Sequence, residues 1–190
     1  MKLWLVRHAR PLLPAGVCYG ALDVPADAQA TRTAAQSLAQ VLPANLYALV
    51  SPLQRCACMA DELKALRPDL RWETDARLTE MDFGRWEGQR WDVLDPTELE
   101  NWSDNFGPYR CGGAESVDGF MQRVGAVWDA ACTRQQDAVW VTHAGVIRAA
   151  DLLAKGIRQI ALARSWPRDA PAWGEWKVLD MQYCGFEVAA

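Results

Sequence analysis

The chain has only two histidines, His8 and His143, so imidazole chemistry has only two places to occur. Each closes a short apolar run. Leu3-Trp4-Leu5-Val6 leads into Arg7-His8, and Ala138-Val139-Trp140-Val141-Thr142 leads into His143. A third run, residues 46–50, leads into Ser51-Pro52-Leu53-Gln54-Arg55. If the three runs are buried strands, both histidines and two arginines stand at strand ends, where layered α/β sheets bind their ligands. Arg55 also falls on the first turn of a helix, an end that attracts anions.

Arginine presents a planar fork that matches phosphate or carboxylate oxygens two at a time. A pair of opposite unit charges 4 Å apart gains roughly 4 kcal/mol at an effective dielectric of 20. Two or three such donors can hold a dianion and stabilise charge spread over its oxygens, which favours phosphate. An imidazole in that cradle can attack phosphorus. The leaving oxygen then needs a proton, and a carboxyl group is the natural donor. Residues 78–88 supply the candidates, Glu80 first and Asp82 as its rival. Glu87 reads as a brace for the turn between Gly84 and Gly88.

Composition narrows the partners. The chain has 20 basic and 24 acidic residues, a net charge of -4, and 16 of its basic residues are Arg. With a pI near 5.2, a nucleic-acid partner is not expected. The apolar run before Arg7 is too short for a secretory leader, and no stretch approaches the ~20 apolar residues of a membrane span. The six cysteines (Cys18, Cys56, Cys58, Cys111, Cys132, Cys184) form no C-x-x-C pair and no zinc-ligand spacing. Reduced thiols in a cytoplasmic protein are expected, with no metal and no cofactor. No sequence feature fixes an oligomeric state.

The elements that must position these groups follow from periodicity. Residues 2–6 form a first strand, and the proline- and glycine-rich stretch 11–26 a long loop. Residues 27–42 form a helix with Ala30, Ala34, Leu38 and Val41 on one face. Residues 46–50 are a buried strand. Ser51, Pro52 and Gln54 have the pattern of a capping box, opening a helix that runs to about residue 66. A short strand at 70–73 follows. Residues 75–115, rich in Gly, Pro, Trp and acidic residues, break the rhythm and form an insertion over the active-site end of the sheet. Trp86 and Trp91 within it can pack or stack on a flat heterocycle. Ser116 caps a helix over 116–134, residues 138–142 are a strand, and a helix runs from His143 to 154. A loop at 164–174 precedes a last strand at 176–181. Alternating strands and helices predict one three-layer α/β domain over 1–190, with a mostly parallel central sheet flanked by helices.

Four blocks together resemble a known family. Leu5-Val6-Arg7-His8, Ser51-Pro52-Leu53-Gln54-Arg55-Cys56, Leu78-Thr79-Glu80 with Phe83-Gly84-Arg85-Trp86-Glu87-Gly88, and Val141-Thr142-His143-Ala144-Gly145 are similar, in that order, to the histidine phosphatase superfamily, with its phosphoglycerate mutase-like fold. Gly16-Val17-Cys18-Tyr19-Gly20, Asp23-Val24-Pro25 and Gly112-Gly113-Ala114-Glu115-Ser116 resemble its α-ribazole phosphatase branch. That resemblance implies a metal-independent phosphomonoesterase acting through phosphohistidine. Its substrate would be a small phosphomonoester, α-ribazole 5'-phosphate in assembly of the cobalamin nucleotide loop. His8 would be the nucleophile, Arg7 and Arg55 would grip phosphoryl oxygens, and His143 would donate to the same oxygens. Glu80 would protonate the leaving group and then activate water. Arg10, Tyr19 and Glu115 would stand at the rim. Ala9 departs from the usual Gly or Thr, Cys111 stands where the branch has Pro, and Ala114 separates the glycine pair from Glu115. Phosphoglycerate mutase-like or broader sugar-phosphate and phosphoprotein phosphatase activity is the enzymatic alternative. A phosphoryl-binding module without turnover is the non-enzymatic one.

Overall fold

A computed structural model describes residues 1–181. Cys184 lies outside them. Five strands, β1 (Lys2–Arg7), β2 (Tyr47–Val50), β3 (Arg71–Thr74), β4 (Ala138–Thr142) and β5 (Trp176–Asp180), form one sheet in the order β3-β2-β4-β1-β5. All neighbours are parallel except β5, which runs antiparallel to β1. The helices are α1 (Ala28–Val41), α2 (Gln54–Leu66), α3 (Pro96–Asp104), α4 (Val117–Arg134) and α5 (Ala144–Leu153).

The layers follow from strand alternation. Leu3, Leu5 and Trp140 point to one face, where they pack with Val124 and Val127 of α4 and Ile147 of α5. Val6, Val139 and Val141 point to the other, against Leu38 of α1 and Met59 and Leu63 of α2. Both faces must be apolar to be covered by helices, which is why the central strands read as continuous hydrophobic runs. This is the expected three-layer, mostly parallel sheet. No helix among the described residues is long and apolar enough to cross a membrane.

Three local features differ from the sequence reading or go beyond it. Ser51 does not cap α2, which begins at Gln54. The Gln54 amide instead donates to Asp23 Oδ1 at 2.8 Å, from the 11–26 loop. Ser51 Oγ lies 2.8 Å from His143 Nε2, so the hydroxyl that would cap the helix is committed to the site. Inside the 75–115 insertion, α3 is an element beyond the sequence reading, although Asp95-Pro96-Thr97 carries its signal: Asp95 Oδ1 accepts from Thr97 N at 2.9 Å and Pro96 opens the helix. The rest of the insertion winds through four short 3-10 turns, Ala76–Leu78, Gly84–Trp86, Trp91–Val93 and Cys111–Gly113. The second and fourth press together at Gly112, which has φ +53° and where a Cβ would stand 2.0 Å from Phe83 O.

Candidate active site

The sheet register brings the histidines together. Arg7 is paired with Thr142, so the next residues on β1 and β4 are His8 and His143. His8 N donates to Thr142 O at 3.1 Å, and the two ring centroids are 5.1 Å apart. Both side chains are buried.

The His8 tautomer is set locally. Nδ1 lies 2.7 Å from Ala9 O, and a carbonyl can only accept, so Nδ1 carries the proton. Nε2 keeps its lone pair. The contact uses the backbone of residue 9, so Ala in that position leaves it intact. His143 is fixed as the opposite tautomer. Arg55 Nε donates to its Nδ1 at 3.2 Å, so Nε2 carries the proton and donates to Ser51 Oγ.

Both imidazoles are held uncharged. His8 is pushed down to about 3, mainly by burial and then by the guanidinium of Arg55, with Arg7 adding to it. His143 lies well below its ordinary value through burial, His8 and Arg55. Free histidine titrates near 6.5. Below that pH the unfolded chain binds protons that the folded chain refuses, so stability is present above 6.5 and is lost as pH falls towards the folded values. Denaturant unfolding at fixed salt should show stability dropping from pH 6.5 towards 4, by up to about 1.4 kcal/mol per pH unit for each histidine. A His8→Asn variant should show a shallower slope.

Arg7 is the last residue of β1, and the chain just before β5 backs it. Arg7 Nη1 donates to Pro171 O at 2.9 Å, and its guanidinium lies 5.2 Å from the Trp173 ring centroid. Gly174 N reaches the carbonyls of Arg7 and His8 at 3.2 and 3.1 Å. Burial lowers the Arg7 guanidinium from its ordinary value, Tyr19 opposes this and Arg148 adds to it. Arg55 is fully buried. Besides His143, it donates to Leu22 O at 2.8 Å and Gly20 O at 2.5 Å. Three of the five guanidinium donors are thereby engaged.

Glu80 meets the start of α5. Its Oε2 accepts from Gly145 N at 2.9 Å, and Oε1 accepts from Met81 N at 3.1 Å. The approach depends on Gly145, where a Cβ would fall 2.1 Å from Glu80 Oε1. Asp82, the rival carboxylate, accepts from Gly84 N at 2.8 Å and is exposed. It closes a turn and does not line the cavity beside His8.

That cavity, about 780 Å³, is lined by Arg7, His8, Tyr19, Glu80 and Arg148, and by an aromatic wall that includes Phe83, Trp91, Trp102 and Trp166. Tyr19 also lies 5.5 Å from the Arg55 guanidinium, ring to cation. Arg55 and His143 stand behind His8 and do not line the cavity. Trp91 lines the cavity, whereas Trp86 is buried in packing and donates to Glu98 Oε2 at 2.6 Å. Glu87 braces more than its own turn. Its carboxylate accepts from Phe83 N and Ala21 N, both at 2.9 Å, and from Leu22 N, joining the insertion to the 11–26 loop.

Two residues expected at the rim do not line the cavity. Arg10 is exposed and absent from the cavity wall. It acts through its backbone carbonyl, which accepts from Asp27 N at 2.8 Å where α1 begins. Glu115 is likewise absent from the wall of that cavity. It takes Arg123 Nε at 2.7 Å and Nη2 at 2.9 Å, and it also accepts from Asp82 N at 3.1 Å. Arg123 in turn donates to the carbonyls of Arg77, Thr79 and Glu80 at 2.8, 2.6 and 3.0 Å. All five guanidinium donors are used, and the pair clamps the segment that carries Glu80. Glu115 thus supports, through Arg123, the backbone from which Glu80 projects. Arg123→Met should cost on the order of 3 kcal/mol in a denaturant melt, because three carbonyls and a carboxylate lose their donor.

Among the described residues, no group of three or more His, Cys, Asp or Glu side chains could hold a metal ion. The site offers one uncharged imidazole lone pair, buried cations and one carboxyl group at a roomy apolar cavity. That set suits attack on a phosphoryl group followed by proton transfer to an alkoxide.

Comparison with known proteins agrees. The structure is similar to TTHB049 from Thermus thermophilus, with 30% identity, 95% of this chain and 94% of that chain covered, and a TM-score of 0.72. It shares its fold with the mycobacterial glucosyl-3-phosphoglycerate phosphatase Rv2419c at 21% identity, covering 94% and 89% with a TM-score of 0.76. A protein described as mycobacterial hydrolase 2 matches at 21% identity, covering 93% and 80% with a TM-score of 0.77. The sequence finds no match among curated proteins. Residues 3–189 match the histidine phosphatase superfamily, branch 1, and with the paired histidines at adjacent strand ends this chain belongs to that superfamily.

Proposed function

We propose that the protein hydrolyses a phosphomonoester through a phosphohistidine on His8 Nε2, and that α-ribazole 5'-phosphate is its favoured substrate. The observation that carries the chemistry is the bond from His8 Nδ1 to Ala9 O, which leaves an uncharged Nε2 lone pair next to Arg7 and Glu80. The lone pair forms a bond to phosphorus as the ester P–O bond breaks, and Glu80 supplies the proton to the departing oxygen. Water then attacks phosphorus, Glu80 takes back a proton, and the N–P bond breaks to release inorganic phosphate. Arg7 holds phosphoryl oxygens directly. Arg55 and His143 form the floor beneath His8 and reach those oxygens by exchanging their bonds to Gly20 O, Leu22 O and Ser51 Oγ.

The leaving group is supported by the wall. A phosphoryl group fills a small part of 780 Å³, and the aromatic side chains around the remainder suit a flat heterocycle. A substrate panel tests this, comparing kcat/KM for α-ribazole 5'-phosphate, a sugar phosphate, 3-phosphoglycerate and an aryl phosphate. The benzimidazole substrate should lead. A sugar phosphate turned over more efficiently than α-ribazole 5'-phosphate would replace it, and phosphate release from none of them would leave a binding module.

A further inference from the structure

We propose that Arg148 is a substrate-binding residue, which with Arg7 forms a two-guanidinium cradle for the reacting phosphoryl group. The inference rests on the phosphomonoesterase reading above. Ala144, Gly145 and Arg148 of α5 all line the cavity that holds His8. Their spacing of i, i+1 and i+4 puts them on one side of the helix. Helical side chains lean towards the N-terminus of their helix, which here is where Gly145 N holds Glu80 and where His143 precedes the first turn.

Cations outnumber anions at that place, where among the described residues Glu80 is the one carboxylate lining the cavity. The N-terminal end of α5 carries partial positive charge, and Arg148 is close enough to Arg7 to bear on its protonation. Neither arginine has a carboxylate partner among the described residues. Arg148 Nη2 is tied only to a neutral acceptor, Arg168 O at 2.9 Å. The Nε atoms of Arg7 and Arg148 are both buried without a hydrogen-bond partner, the kind of orphan donor that calls for a functional explanation. Arg55, by contrast, has bonds to three partners inside the protein. Arg164 and Arg168 also line the cavity but are exposed, which leaves Arg7 and Arg148 as its two partly buried arginines.

The test measures inorganic phosphate binding by titration calorimetry at low ionic strength, alongside kcat/KM for the best substrate of the panel. Arg148→Gln should weaken phosphate binding by about 10–100-fold, the effect of losing a charge-assisted hydrogen bond. It should lower kcat/KM in parallel, and still form acid-labile phosphoenzyme on long incubation. Arg148→Lys should recover part of the affinity as a point charge without the fork, and guards against a Gln variant that fails to fold. Arg32→Gln removes a cation from the exposed face of α1 and should leave phosphate affinity unchanged, which separates contact from net charge. Folded Arg148→Gln and Arg148→Lys variants that bind phosphate as the parent does would overturn the proposal. A parent that binds phosphate but turns over no ester would sink the phosphomonoesterase reading instead, with the binding comparison still deciding the role of Arg148.

Discussion

Replacing His8 by Ala should remove phosphomonoesterase turnover by about 10⁴-fold or more, and with it any acid-labile phosphoenzyme. The size of the effect follows from the site. The chain has one other imidazole, His143, and both of its ring nitrogens are engaged by Arg55 and Ser51. Of the two, only His8 lines the cavity. Rapid quenching after mixing with labelled substrate, followed by base and acid stability of the bound label, reads the intermediate directly. The variant keeps Arg7 and its backing by residues 171–175, so inorganic phosphate should still bind. Turnover and phosphoenzyme at parental levels in His8→Ala would mean that another group attacks phosphorus.

Gly145→Ala carries the second largest effect and comes from a residue that touches no substrate. The added methyl would occupy the place of Glu80 Oε1, so the carboxylate must swing away from the leaving oxygen. We expect kcat to fall by about 10²-fold, approaching the loss in Glu80→Gln, with KM changed far less. Misfolding would not explain such a result. Ala is the better helix former by about 1 kcal/mol, so the thermal midpoint should hold or rise while activity falls. Substrates with good leaving groups, which need little protonation, should suffer least. An unchanged kcat for a poor leaving group would show that Glu80 does not need its bond to Gly145.

Much of this arrangement is legible in sequence because strand ends in a parallel sheet converge. Once residues 2–6 and 138–142 read as buried strands, the placement of His8 and His143 follows, and the register only narrows it to one residue. Other parts depend on side chains serving distant neighbours, which periodicity does not report. Ser51 reads as a cap for α2, yet its hydroxyl faces His143 and Asp23 takes over the amide of Gln54. Glu115 sits in a motif that suggests a rim, yet its partner is Arg123, eight residues on along α4. Residues 171–175 look like ordinary loop, although their backbone holds the turn at Arg7 and His8. Arg148 has a faint signal, one turn beyond Gly145 on the same helix, that emerges only when the cavity is known.

The position of β1 has a consequence for how the protein becomes active. Strand β1 lies between β4 and β5, the two described strands farthest from it in sequence, with Leu3 opposite both Ala138 and Leu179. Pairings that span most of the chain form slowly, because the loop between them must close first. His8 therefore stays at the end of an unpaired strand until β4 and β5 dock, and the pocket around it assembles late in folding. Folding thereby joins His8 to Glu80, Arg55 and the aromatic wall in one late step, rather than adding them to a preformed half-site.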